Sequence, residues 1–182
     1  MDSGKTIIIY LLIMLLVSST GIILEISFSR LFSYILSYQF VFIIIAFTLV
    51  GLGIGEMLYY KSSWITKRIR FFYSILPYGV LFSYILLVTL NKIAVFSSSG
   101  INLFINILFS VLPFLNIGIL KADIFQGNKS RVTWFYGVDL FGSAGGALLT
   151  IAILNSIGLP KAFLVSYILF AVSGLLYWIL TF

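Results

Sequence analysis

The fold class this sequence predicts is an all-α bundle of six membrane-spanning helices, and three features predict it. Of 182 residues, 62% are hydrophobic and only 9% charged, against roughly 25% charged in soluble domains. The apolar residues gather into six runs, each near the roughly 20 residues that cross a bilayer. Most of the cations fall in the breaks between runs. One transmembrane domain, 1–182, accounts for the whole sequence, with no room for a soluble enzyme domain beside it.

The first span, 6–28, follows Lys5 but is longer than a signal-peptide core. No small-x-small cleavage site comes after it, so it reads as a retained helix. Next, SRLFSYILSY repeats apolar residues at helical spacing between Arg30 and Gln39, which predicts a short interfacial segment lying flat. The second span, 38–58, closes on Gly51, Gly53 and Gly55. YYKSSWITKRIR then joins four cations to two tyrosines and Trp64, a cationic loop with an aromatic belt. The third span, 71–90, carries Pro77, where a kink is expected, and Lys92 with SSSG at 97–100 makes the next turn. The fourth, 101–120, holds Asn102, Asn106, Pro113 and Asn116. LKADIFQGNKSRVTW reads as the loop into the fifth span, 134–154, which contains Asp139, Gly142, Gly145 and Gly146. Gly158 and Pro160 break the chain before the sixth, 162–182.

Six spans place both termini and the second and fourth loops on one side. That side holds Lys5, Lys61, Lys67, Arg68, Arg70, Lys121, Lys129 and Arg131, eight of the eleven cations. The positive-inside rule therefore predicts a multi-pass cell-membrane protein with cytoplasmic termini. The same rule accounts for the net charge of +6, which in a soluble protein would suggest nucleic acid; binding to anionic lipid headgroups is the other reading. Cysteine and histidine are absent, which removes disulfides, thiol chemistry, haem ligation by those residues and the usual zinc and copper sites. No catalytic, cofactor-binding or metal-binding residue is predicted.

Three constellations remain. Gly51, Gly53 and Gly55, and Gly142, Gly145 and Gly146, strip side chains from a helix face and predict close helix packing; no P-loop Lys-Ser/Thr follows the first group. Glu25, Arg30, Glu56 and Asp139 form a candidate intramembrane charge cluster, Glu25 with its nearest partner Arg30 toward the outer face, and Glu56 and Asp139 toward the inner one with Lys121 and Arg131 at similar depth. Such charges serve packing, a transport relay or a partner's site. The aromatics around the first hairpin and at Phe71, Phe72 and Tyr73 read as interfacial anchors, or as a quinone or lipid groove.

The string TGIILEISFSRLF…FTLVGLGIGEML, followed by LPFLNIGILKADIF…WFYGVDLFGSAGGALL…IGLP, resembles the membrane domain of bacterial and archaeal spermidine-synthase-like proteins. Glu25, Arg30, Gly51, Gly55, Tyr136, Asp139, Gly142 and Gly146 match its motif positions. The resemblance implies a membrane domain that precedes a cytoplasmic, Rossmann-like aminopropyltransferase-type domain. Here no G-x-G-x-x-G follows a strand, so the part that would bind decarboxylated S-adenosylmethionine is not expected within this sequence.

The expectation from these readings is a non-catalytic membrane subunit that packs against other membrane subunits and lipids and organises a larger complex, an electron-transfer assembly being one setting. The alternatives are the membrane half of a split spermidine-synthase-like enzyme, with a soluble partner on the basic inner loops, and a small transporter or lipid-handling protein.

Overall fold

The computed structural model describes residues 3–35, 41–92 and 100–181. Among these residues seven α-helices follow one another: α1 (Ser3–Ile35), α2 (Val41–Lys61), α3 (Ser63–Lys67), α4 (Ile69–Lys92), α5 (Gly100–Gly127), α6 (Val132–Ser156) and α7 (Leu159–Thr181). All but the short α3 are long and apolar enough to cross a membrane. The protein is an all-α, multi-pass membrane bundle.

Element boundaries differ from the sequence expectation in three places. Residues 29–35, expected to begin a flat interfacial segment, continue α1 to Ile35. No Gly or Pro interrupts them, the Ser29 and Ser33 hydroxyls donate back to the carbonyls of Glu25 and Arg30, and Leu31 and Phe32 are buried in the bundle. The rest of that segment, 36–40, lies outside the described residues, as do the serines at 97–99 and the side chains of Lys5, Lys92 and Asn102. The fourth span runs on through Lys121 and Asp123 to Gly127, because both charges find partners inside the bundle. The loop between α2 and α4 contains α3, where the Arg68 guanidinium sits 4.8 Å over the Trp64 ring. Helices α4 and α5 run through Pro77 and Pro113 without a break. The turn into α7 needs Gly158, whose φ of 80° is open to glycine at little cost.

α1 packs most extensively on α6 and then on α7; α5 packs most extensively on α2 and then on α4; α4 and α7 pack on each other. This pairing is that of an internal two-fold. Leu15 and Ser19 of α1 receive Gly142 and Gly146 of α6, just as Val111 and Leu115 of α5 receive Gly51 and Gly55 of α2. The buried face of α4, Tyr73, Leu76, Val80, Ser83 and Leu87, corresponds step for step to Phe163, Ser166, Phe170, Ser173 and Tyr177 of α7. The halves α1–α4 and α5–α7 are thus one three-span unit used twice. Three spans reverse the chain, so equivalent helices run antiparallel: Tyr73 meets Tyr177 while Tyr84 meets Phe163, and Phe28 meets Phe114 while Gly21 meets Ile117. The pseudo-axis lies in the membrane plane, the arrangement of inverted-repeat membrane proteins. α2 and α6 flank the central helices on one face and barely touch each other.

Candidate functional site

Two glycine seams set the helix positions. A Cβ on Gly142 would lie 2.8 Å from the Leu15 carbonyl oxygen, and one on Gly51 2.9 Å from a Val111 methyl; Gly55 and Gly146 abut the carbonyls of Leu115 and Ser19 even more closely. Gly53 and Gly145, expected to join the seams, do not: a side chain at either would meet nothing within 4 Å. One residue along a helix turns the face by 100°, and only Gly142 and Gly146, four apart, share the face toward α1. The sequence reading missed Gly118 and Gly174, which bring α5 against the Leu52 carbonyl of α2 and α7 against the Tyr73 carbonyl of α4. Each stands alone in its run, without a second glycine to mark the face.

Across the α1–α6 seam the Ser19 hydroxyl donates to the Gly142 carbonyl at 2.8 Å, and the Ser18 hydroxyl donates to Asp139 Oδ1. Lys121 Nζ reaches the same oxygen at 2.6 Å. Asp139 is therefore neutralised from α5 and hydrogen-bonded from α1, with both ion-pair side chains mostly buried. The charge cluster expected from the sequence is brought together in part. Glu56 sits beside Gly118, within electrostatic range of Lys121 and Asp139. Glu25 and Arg30 do not pair: they are five residues apart, facing different sides of α1, and Arg30 is exposed.

Glu25 lies instead in a small cleft. Its walls are Leu52 of α2 and Ser143 of α6, and its floor is the α1–α5 crossing at Gly21 and Ile117. Glu25 and Lys121, at opposite ends, occupy equivalent positions of the two repeats, so the pseudo-axis passes through a site with opposite charges on its two halves. The cavity measures about 40 Å³, room for a water or two. Half-buried Glu25 meets no hydrogen-bond donor and no cation among the described residues.

A second polar centre, also unforeseen, lies at the end of the bundle that carries α3. Asp123 accepts a hydrogen bond from the Tyr59 hydroxyl at 2.9 Å; nearby, Tyr73 stacks on Tyr177 at 3.7 Å and Tyr10 packs edge-on to Tyr177. Reading LKADIFQ as a loop hid this centre, since it exists only if α5 continues. Several aromatics expected as anchors are core: Phe28, Phe32 and Tyr73 are buried, whereas Tyr34, Phe42, Phe47 and Phe71 are exposed.

Among the described residues no three His, Cys, Asp or Glu side chains stand close enough to hold a metal ion. No protein-family model, curated protein or solved structure matches the chain.

Proposed function

We propose that this chain is a non-catalytic subunit of the cell membrane, with both termini cytoplasmic, that packs against another membrane protein and organises a larger complex. The observation that carries this reading is Glu25. A carboxylate at bilayer depth costs about 2.5 to 3.5 kcal/mol unless it is paired, and this one has no partner among the described residues. It opens into a cleft between α2 and α6, each of which packs mainly against one neighbour. A membrane segment of the partner, packed over that cleft, brings a cation or a hydrogen-bond donor to Glu25. Transport has less support, because Asp139 is capped by Lys121 and the cavity holds little more than water.

The chain has no cysteine, so one introduced thiol reports cleanly. In native membranes Ser143→Cys, treated with a short bifunctional thiol reagent, should yield one discrete protein adduct, and adding Glu25→Gln should diminish it. No adduct, together with assemblies of unchanged size for Glu25→Gln, refutes the reading. A second reading is favoured by the exposed Lys61, Lys67, Arg68, Arg70, Lys129 and Arg131: a separate cytoplasmic enzyme chain with an acidic surface docks there, as in a split spermidine-synthase-like protein. Affinity isolation in mild detergent distinguishes a soluble partner from a membrane one.

A further inference from the structure

On the face opposite the cleft, α4 and α7 enclose a groove of about 380 Å³ lined by Tyr73, Ser74, Tyr78, Tyr167, Gly174 and Trp178. The internal repeat shows why it is there. At the other end of the α4–α7 contact, Tyr84 stacks on Phe163 at 4.4 Å and closes the equivalent space. At this end Gly174 takes the place of Tyr84 and carries no ring, and Tyr73, in the place of Phe163, stacks on Tyr177 instead, so the groove stays open. The groove is a departure from the symmetry.

Its mouth is cationic. Arg70, one turn before Ser74, is exposed and donates across to the Thr181 carbonyl at 3.2 Å, tying the start of α4 to the end of α7. Lys67 and Arg68 are exposed beside it, and neither α4 nor α7 contains an Asp or Glu. Along α7 the groove runs from Trp178 to Tyr167, about 16 Å at 1.5 Å per residue, close to half of the roughly 30 Å hydrocarbon layer. A polar mouth with a one-leaflet apolar channel matches one kind of molecule.

We infer that the α4–α7 groove is a binding site for one anionic phospholipid, an acyl chain lying between Tyr78 and Trp178 and the phosphate held by Arg70. This rests on a different face from the partner cleft, so either reading can fail alone.

The test uses the full chain in mild detergent, followed by native mass spectrometry and thermal unfolding with phosphatidylglycerol, phosphatidylcholine or inorganic phosphate added. One retained phosphatidylglycerol and a raised melting temperature with that lipid alone are expected. Arg70→Gln should weaken its binding about fivefold, the factor for one interfacial cation. Ala171 lines the groove between Tyr167 and Gly174, and Ala171→Phe, which fills it and leaves the arginine in place, should abolish binding. Equal binding of phosphatidylcholine, the same stabilisation by phosphate alone, or undiminished phosphatidylglycerol binding by Ala171→Phe would each overturn the proposal. If Ala171→Phe fails to fold, the exposed Arg70→Gln decides: unchanged binding overturns the site, and the fivefold loss supports it.

Discussion

Replacing neighbouring glycines on α6 by alanine should give opposite results. At Gly146 a new methyl would lie 2.8 Å from Ser19 Cα and 2.9 Å from its carbonyl carbon, with the carbonyl oxygen nearer still, whereas ordinary contact begins at 3.4 Å. All three atoms are backbone, so no rotamer change relieves the overlap, and α6 must move off α1 by about 0.6 Å or more. Overpacking of this kind costs about 1 to 3 kcal/mol. The same movement strains the Ser19–Gly142 and Ser18–Asp139 hydrogen bonds, adding about 1 kcal/mol. Alanine returns up to about 1 kcal/mol through helix propensity. The net loss for Gly146→Ala is about 1 to 4 kcal/mol. At Gly145 nothing lies within 4 Å, so Gly145→Ala keeps the propensity gain and loses nothing. Reversible unfolding in mixed micelles, followed by helicity, measures both. A Gly146→Ala midpoint equal to that of the parent, or a Gly145→Ala loss as large as that of Gly146→Ala, would refute the account of the seam.

Lys121→Met should destabilise by about 3 to 5 kcal/mol, because it leaves Asp139 charged and unpaired inside the bundle. The double variant Lys121→Met with Asp139→Asn should recover most of that loss in a double-mutant cycle; additive losses would mean the two charges are not coupled. Tyr59→Phe removes the hydroxyl that Asp123 accepts and should cost about 1.5 to 3 kcal/mol, read from the same unfolding midpoints, with no change expected if water replaces the phenol freely.

The class of protein was legible from composition, because a lipid solvent admits only long apolar helices whose backbone hydrogen bonds are internal. The number of spans followed from run length, and the glycine seams at Gly51, Gly55, Gly142 and Gly146 from their spacing. Partnership was not legible. A charge read alone looks like a loop residue, and Lys121 and Asp123 were read that way; each is helical because a residue far along the chain, Asp139 or Tyr59, meets it. Arg30 looked like the partner of Glu25 because it is near in sequence, but helix geometry sends the two to different faces. The two-fold relation left little trace in the residues, since Glu25 corresponds to Lys121, Thr48 to Asp139 and Tyr84 to Gly174. What is repeated is the pattern of burial, which depends on one face of each helix being turned to the bundle and tolerates almost any side chain of suitable size. Local chemistry along this chain determined that it crosses the membrane six times, and only the packing of distant helices decided which charges are satisfied, which one is left in a cleft, and where a groove stays open.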